Sequence, residues 1–119
     1  MTPDEGAAAA VLDGQGRLLL VKENNDRRRY TLPGGAVEDG ESALDAVLRE
    51  TREENGVEVE IEHLVGVYRL VEGLTVLLFR CVVADGEPQR PESDEIAKVD
   101  WFAPGDIPEP WSDGLPRVT

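Results

Sequence analysis

Hydrophobic and polar residues follow two different periods along the chain, and together they predict several strands and one helix. Two short apolar runs, residues 7–12 (AAAAVL) and residues 17–21 (RLLLV), are separated by Asp13-Gly14, a dipeptide that favours a tight hairpin turn. Continuous apolar runs of this kind are typical of strands that are covered on both faces. We therefore predict that the domain begins with a hairpin of two buried strands.

A polar and charged loop over residues 24–29 follows the second strand. It leads into Pro33-Gly34-Gly35, where proline and paired glycines predict an irregular backbone. A second turn is predicted at residues 38–41 (EDGE). Both features lie directly before the helical part of the sequence.

Residues 43–55 have helical spacing between clear start and stop signals. Ser42 is predicted to cap the helix, with Asp45 in a position like that of a capping box, and Gly56 is predicted to end it. We expect this helix to pack on a sheet while its acidic side chains line the edge of a cleft. The predicted packing stripe consists of Ala43, Leu44, Val47, Leu48 and Thr51.

Further strands are predicted over residues 58–62, 64–70, 74–83 and 98–102, with a hairpin through residues 71–73. Residues 85–95 form a polar, proline-bearing loop of the kind that often carries function. Beyond the last strand, four prolines disfavour a long terminal helix: Pro104, Pro108, Pro110 and Pro116. We predict that extended tail or a second subunit of a homodimer covers this flank of the sheet.

Length and composition narrow the class of protein. A chain of 119 residues with 40% hydrophobic residues predicts a single globular domain over residues 1–119. The sequence has neither an apolar run of membrane-spanning length nor a signal-peptide pattern, so we expect a cytoplasmic protein. A formal net charge of −13 argues against binding to nucleic acid polymers or anionic membranes. With Cys81 and His63 as its sole cysteine and histidine, any intrinsic metal site must use oxygen ligands.

Three carboxylates crowd the end of the predicted helix: Glu50, Glu53 and Glu54. Side chains three and four positions apart are neighbours on a helix, and like charges there destabilise it by about 0.2–0.5 kcal/mol per pair. The last turn is also the negative end of the helix dipole. A bound divalent cation would compensate this repulsion, although for these three residues alone a solvated acidic face is the commoner explanation.

The spacing of the residues around these glutamates favours a bound cation over a solvated acidic face. Gly35 is followed after five residues by Glu41 and after seven more by residues 49–57 (RETREENGV), which resembles the 23-residue signature of the Nudix hydrolases. Every charged and glycine position of that signature is filled, and Thr51 is the one departure, at a position where an apolar residue is usual. The resemblance implies an α/β fold, a Nudix-type α/β/α sandwich with a mixed β-sheet, here with a C-terminal helix that is short or absent.

The resemblance also implies a magnesium or manganese site. Glu50 and Glu54 would be the principal ligands of Mg²⁺ or Mn²⁺, and the backbone carbonyl of Gly34 would add another. Glu53 would bind the metal or order its water. Hard oxygen ligands of this kind suit both ions.

Four further positions of the signature are expected to support the site. In the family, the residues equivalent to Arg49 and Glu41 pair and hold the loop against the helix. Gly35 and Gly56 are expected to serve backbone geometry and not contact chemistry.

The general base stays open among Glu92, Glu95 and a glutamate of the helix. Members of the family often recruit a glutamate from the loop before the last strand, and spacing alone does not show which carboxylate reaches a water. For the substrate, the densest positive segment of the chain contains Lys22, Arg27, Arg28 and Arg29. These side chains are candidates for binding phosphates, with a solvated loop as the alternative.

Tyr30 is a candidate for stacking on a base or a sugar, with core packing as the alternative.

The resemblance predicts magnesium-dependent hydrolysis of a nucleoside diphosphate linked to another moiety. Water would attack a phosphorus and release two phosphorylated products without a covalent enzyme intermediate. Cleaning of the nucleoside triphosphate pool fits the small size, and the residues that mark ADP-ribose and diadenosine polyphosphate enzymes in the family are absent here. Two alternatives are a Nudix-like module that binds a nucleotide without turnover, and an acidic protein of a high-salt cell whose glutamates form a hydration surface.

Overall fold

The computed structural model describes residues 5–70, 73–91 and 94–109. The helix and strands follow one another in the order β1 (Glu5–Leu12), β2 (Leu18–Glu23), β3 (Tyr30–Thr31), β4 (Gly34–Ala36), α1 (Ala43–Asn55), β5 (Glu58–Arg69), β6 (Thr75–Asp85) and β7 (Ile96–Phe102). A 3₁₀ turn, Pro104–Asp106, follows β7. In these three ranges, no helix has both the length and the apolar composition that crossing a bilayer requires.

The sheet is mixed, as predicted, and β1 is its central strand. It runs parallel to β6 over its whole length, from Glu5 opposite Thr75 to Leu12 opposite Val82. β6 pairs antiparallel with β5. On its other side β1 meets β2 antiparallel, with Leu12 opposite Leu18, which confirms the predicted hairpin. β2 then pairs with β3 and β7.

The sheet carries a buried cluster on each face, which explains the continuous apolar runs of β1 and β2. The cluster on the side of α1 includes alternate residues of β1, such as Ala7 and Ala9. The cluster on the opposite face includes Ala8, Leu20 and Leu78. Burial on both faces is what the sequence pattern of these strands predicts.

The prediction of an irregular backbone at the two glycines is wrong. Gly34 and Gly35 belong to β4 and pair antiparallel with β1, opposite Ala8 and Ala7. A Cβ atom on Gly34 would collide with the backbone carbonyl of Ala7. A missing side chain therefore lets β4 lie directly on β1, and this contact could not be seen in the local sequence.

Both ends of α1 are confirmed. The side chain of Ser42 accepts a hydrogen bond from the backbone N–H of Asp45 at 3.1 Å. Gly56 has a left-handed φ of 75°, and its N–H donates to the carbonyl of Arg52 at 2.9 Å. A glycine tolerates this conformation without a steric penalty, so it ends the helix.

The buried face of α1 differs from the predicted stripe at several positions. Val47 and Thr51 are buried as predicted, and the Thr51 hydroxyl donates to the Val47 carbonyl at 2.7 Å, which satisfies the one polar departure from the signature. Leu44 is 48% exposed, however, because the first turn is incompletely covered. Ala46 and Asn55 are fully buried instead.

Two later boundaries also differ from the prediction. β5 is one continuous strand of 12 residues, where two strands were predicted, and its pairing with β6 shifts register at three points along this length. β7 begins at Ile96, earlier than the predicted residue 98. The tail predicted to lack a long helix runs from residue 104 to 119; its described part, up to residue 109, forms the 3₁₀ turn, and residues 110–119 lie outside the described residues.

Candidate active site

Arg49, in the middle of α1, is the centre of a polar network. Its guanidinium donates to both carboxylate oxygens of Glu41, at 2.7 and 2.9 Å, and to the backbone carbonyl of Ala36 at 3.1 Å. It also donates to Glu50 at 2.7 Å and to Glu53 at 3.2 Å. Two-point pairing of a guanidinium with a carboxylate fixes geometry as well as energy. The network therefore joins the turn before the helix, β4 and the acidic end of α1.

Glu50 and Glu54 both meet the backbone of Gly34-Gly35. The N–H of Gly34 donates to Oε1 of Glu54 at 2.8 Å. The Glu50 carboxyl group takes up the space beside Gly35, where an added Cβ would lie 2.6 Å from Cδ of Glu50. Gly35 has no left-handed φ, unlike Gly56. At position 35, the close approach of the Glu50 carboxyl group, and not the backbone conformation, is what a larger side chain would disturb.

The glutamates of this region have pKa values moved in opposite directions. Burial raises the pKa of Glu54 to about 8, and the charges of Glu50 and Glu95 add to that effect. Burial also raises the pKa of Glu50, although Arg49 opposes the shift. Hydrogen bonds from Arg49 lower the pKa of Glu41 to about 2. In the metal-free chain Glu54 therefore holds a proton at neutral pH, while Glu41 is ionised.

Glu53 is the outermost of the three helix carboxylates. Its side chain is 58% exposed, compared with 16% for Glu50. Across residues 5–70, 73–91 and 94–109, no group of three or more acidic, histidine or cysteine side chains is arranged so that it could hold a metal ion by itself. The arrangement is open, and Arg49 relieves part of the repulsion that the sequence predicts.

The donor set fits a hard divalent cation. Glu50 and Glu54 are half-buried carboxylates that converge on one glycine pair, and the more exposed Glu53 adjoins them on the helix. Oxygen ligands of this type suit Mg²⁺ and Mn²⁺. The raised pKa of Glu54 reflects a burial and a crowding of negative charge that a cation would relieve.

Of the two loop candidates for the general base, only Glu95 is described, because Glu92 lies outside the described residues. Glu95 is exposed and directly precedes β7, and its charge contributes to the raised pKa of Glu54. Its backbone carbonyl accepts from the N–H of Asn24 at 3.0 Å. The fold therefore brings Glu95 near the helix carboxylates, although the two segments are far apart in sequence.

Lys22 and Tyr30 contact each other on neighbouring strands. Nζ of Lys22 lies 5.1 Å from the centroid of the Tyr30 ring. The same ring packs edge-on against Phe102, with centroids 5.6 Å apart. Tyr30 is thus a half-buried part of the core on the face opposite α1, which supports the packing alternative.

The three arginines lie on the loop between β2 and β3. Nε of Arg29 pairs with Glu23 at 2.9 Å, and Nη1 of Arg28 donates to the side chain of Asn24 at 3.0 Å. Arg27 has an exposed side chain. The contacts of Arg28 and Arg29 hold the loop itself, and this supports the solvated-loop alternative for those two residues.

A cavity of about 230 Å³ beside β4 was not predicted. Gly34 and Gly35 line one part of it, and Leu32, Leu74 and Val76 line another. The apolar run at residues 74–79 is visible in the sequence, but its position beside the glycine pair is not. That neighbourhood depends on the parallel pairing of β1 with β6.

Asn55 is a second feature that the sequence analysis missed. Its side chain is fully buried, and neither polar atom of its amide has a hydrogen-bond partner among the described residues. Its backbone carbonyl accepts from the N–H of Gln89 at 2.9 Å. The loop after β6 is therefore anchored to the end of the helix, next to Glu54.

Comparison with known proteins agrees with this geometry. The NUDIX domain model matches residues 2–119. The chain belongs to the NUDIX family. A MutT-like protein from Streptomyces ambofaciens is 36% identical to it over 103 residues, which cover 86% of this chain and 65% of that protein. The "Putative 8-oxo-dGTP diphosphatase" of Bacillus subtilis (strain 168) is 34% identical over 106 residues, which cover 87% of this chain and 69% of that protein.

A solved structure supports the same assignment. The crystal structure of a MutT NUDIX hydrolase from Burkholderia pseudomallei superposes with a TM-score of 0.79 and is 31% identical, covering 95% of this chain and 92% of that one. The predicted family and the predicted Nudix fold class are therefore confirmed. The chain spans about two thirds of the length of the two sequence relatives named above.

Proposed function

We propose that this NUDIX protein hydrolyses a phosphoanhydride bond of a nucleoside diphosphate linked to another moiety, in the presence of Mg²⁺ or Mn²⁺. The observation that carries the proposal is the meeting of Glu50 and Glu54 with Gly34-Gly35 inside a complete Nudix signature. A solvated acidic surface would require neither half-buried carboxylates nor a glycine pair beneath them.

The helix carboxylates and one backbone group would hold the cation. Glu50, Glu53, Glu54 and the carbonyl of Gly34 are the proposed ligands. When bound, the ion neutralises the diphosphate, orients it and lowers the pKa of the attacking water. Arg49 acts as a positioning residue, because it contacts Glu50 at 2.7 Å and Glu53 at 3.2 Å.

Glu95 is the proposed general base among the described residues. Its exposed carboxylate lies close enough to Glu54 to raise the pKa of that group. Water attacks a phosphorus, its proton passes to Glu95, and the bond between that phosphorus and the bridging oxygen breaks. Glu92 stays an alternative, since it lies on the same loop.

The 230 Å³ cavity beside β4 is the proposed site for the non-phosphate part of the substrate. Its lining is mainly apolar, and it adjoins the glycine pair that Glu50 and Glu54 contact. Lys22 and Arg27 are proposed as phosphate contacts. The name of the Bacillus subtilis relative favours a nucleoside triphosphate, and hence cleaning of the nucleotide pool, as the first substrate class to test.

A Nudix-like binding module without turnover is the second candidate function. Such a module would bind the same nucleotide but would not need carboxylates that activate a water for attack on a phosphorus. The retention of all three helix glutamates favours the enzyme.

Product release from a panel of nucleoside triphosphates and nucleoside diphosphate derivatives, with Mg²⁺, tests the proposal. We expect two phosphorylated products from the wild type and at least about 100-fold slower turnover in Glu53→Gln and Glu54→Gln. Glu87→Gln, which changes an exposed glutamate of the loop after β6, is the matched control. Equal turnover in the helix variants would remove the metal-site proposal, and nucleotide binding without turnover would favour the binding module.

A further inference from the structure

Asn24, the first residue after β2, holds the segment that precedes β7. Its backbone N–H donates to the carbonyl of Glu95 at 3.0 Å, and its side-chain Nδ2 donates to the carbonyl of Asp94 at 2.7 Å. The first bond continues the pairing of β2 with β7, in which Glu23 lies opposite Ile96. The second bond has no counterpart in a regular strand pair, because a side chain supplies it. One exposed residue therefore holds two consecutive carbonyl groups.

These two carbonyl groups belong to the peptide units on either side of the Cα atom of Glu95. The Asp94 carbonyl is part of the unit that joins Asp94 to Glu95, and the Glu95 carbonyl is part of the next unit. Each peptide unit is planar, so the conformation of a residue is set by the orientation of two planes about its Cα atom. Hydrogen bonds to both units therefore restrict φ and ψ of Glu95, and with them the direction in which its side chain leaves the backbone.

The amide of Asn24 is itself held in the orientation that these bonds require. Its Oδ1 accepts from Nη1 of Arg28 at 3.0 Å. A guanidinium only donates and a backbone carbonyl only accepts, so Oδ1 must face Arg28 and Nδ2 must face Asp94. Arg28 has a left-handed φ of 47°, which is uncommon for residues other than glycine. The N–H groups of Arg27 and Arg28 both donate to Oδ1 of Asn25 at 3.0 Å, and this turn brings Arg28 back to Asn24.

The loop between β6 and β7 is also attached at its other end. The N–H of Gln89 donates to the carbonyl of Asn55, the last residue of α1, at 2.9 Å. The loop is thus fixed to the acidic end of α1 near its start and to Asn24 at its end. Glu95 lies at the second attachment, and its charge contributes to the raised pKa of Glu54. Asn24 therefore holds the loop at the point where the loop approaches the helix carboxylates.

We propose that Asn24 is a positioning residue of the reaction, and that it orients Glu95 through its hydrogen bonds to the carbonyl groups of Asp94 and Glu95. The inference rests on the proposed function, in which Glu95 takes the proton of the attacking water. A general base must lie within about 2.6–3.2 Å of the group whose proton it takes, so the direction of its side chain affects the rate. Asn24 acts on the backbone of the loop and not on the substrate. Its loss should therefore lower kcat and leave KM nearly unchanged.

Steady-state kinetics of Asn24→Ala, with Mg²⁺ and the best nucleotide substrate of the panel, test the proposal. We expect kcat to fall at least about 10-fold, because small misplacements of a catalytic group have large effects, while KM stays within about twofold. Asn25→Ala is the matched control, since the hydrogen bonds of its side chain to described residues stay within residues 23–28. Its kcat should stay within about twofold of the wild-type value. Circular dichroism confirms that both variants, which change exposed residues, are folded.

A double-mutant cycle separates the positioning of Glu95 from a general effect on the loop. In the Glu95→Gln background, Asn24→Ala should cause no further loss of kcat, because the group that Asn24 orients is already inactive. An unchanged kcat in Asn24→Ala, a rise in KM alone, or an equal further loss in the double variant would overturn this inference and leave the proposed hydrolysis standing. Full turnover in Glu95→Gln would overturn it together with the assignment of the general base. A wild type without turnover on the whole panel would remove the proposed function and this inference with it.

Discussion

Glu41 and Glu54 lie on either side of Arg49 along the chain, and the same chemical group behaves oppositely at the two positions. Glu41 accepts two hydrogen bonds from Arg49, which lower its pKa to about 2. Glu54 accepts one backbone hydrogen bond in a half-buried position, and burial raises its pKa to about 8. Glu41 thus stabilises the fold as an ion, whereas an ionised Glu54 costs stability.

The difference indicates a structural role for Glu41 and a ligand-binding role for Glu54, although the two residues lie in one short segment. The Glu41 carboxylate, which accepts two hydrogen bonds from Arg49, holds the turn before α1. A carboxylate kept in a crowded, half-buried position without a matching charge favours a cation from outside. Stored strain of this kind is common at functional sites.

The largest effect on activity is expected from a change that displaces a glutamate at the acidic end of α1 without removing any carboxylate. In Gly35→Ala, the new Cβ would displace the Glu50 carboxyl group, which lies 2.6 Å from that position. We expect kcat/KM to fall about 100-fold, because small misplacements of catalytic groups have effects of that size. Thermal stability should change little, since the displaced atoms are the end of a flexible side chain.

Gly14→Ala is the control for that change, because a Cβ at position 14 meets no atom within 4 Å. Full activity in Gly35→Ala, measured with Mg²⁺ and the best nucleotide substrate, would show that the approach of Glu50 to Gly35 is not needed for turnover.

Arg49→Gln should lower the free energy of unfolding by about 2 kcal/mol, because charged hydrogen bonds to Glu41 and Glu50 are lost. Arg52→Gln is the matched control. Its pair with Glu58 is about half exposed, so the expected loss is below about 1 kcal/mol. Urea unfolding measures both values, and equal losses would contradict a special role for Arg49.

The contributions of Glu54 and Glu41 to folding stability should also depend on pH with opposite signs. The pKa of Glu54 is about 8 in the folded chain and about 4.5 in the unfolded one, so the folded state holds the proton more tightly. Its contribution to stability is complete below pH 4.5 and is lost as the pH rises through 8. The metal-free protein should lose stability progressively as the pH rises from about 4.5 to about 8.

Glu54→Gln should remove that alkaline loss and also the stabilisation by added Mg²⁺. Glu41 supplies the opposite control, because its contribution is complete above pH 4.5 and is lost as the pH falls toward 2. Thermal melts with a chelator from pH 5 to pH 9 measure the alkaline limb. An identical pH dependence in wild type and Glu54→Gln would contradict the assignment.

The smallest effect concerns Asn55, which follows Glu54 and is buried without side-chain hydrogen bonds to described residues. Asn55→Leu should raise the free energy of unfolding by about 1 kcal/mol, since it removes the unsatisfied polar atoms and keeps the branching of the side chain. Thr51→Val is the matched control, because the buried Thr51 hydroxyl is satisfied by the Val47 carbonyl. If both changes have the same effect on urea unfolding, the Asn55 amide is not a source of strain.

Local sequence signals predicted the helix more accurately than its surroundings. The Ser42 cap, the Gly56 stop and the first hairpin are all confirmed, because each depends on residues within a few positions of one another. The buried face of α1 was predicted less well. Leu44 is exposed and Ala46 is buried, since the position of a helix over a sheet depends on both partners and not on helical period alone.

The sequence by itself determined the family, the mixed α/β fold and the crowding of three glutamates at one helix end. Helical period and a fixed motif spacing carry that information, because both are properties of the covalent chain. Only the tertiary structure decided how deeply Glu54 is buried and which backbone group and which loop carboxylate lie beside it. Gly34 meeting Glu54 and Glu95 approaching the helix join residues brought together by strand pairing and packing, and burial then raises the pKa of Glu54.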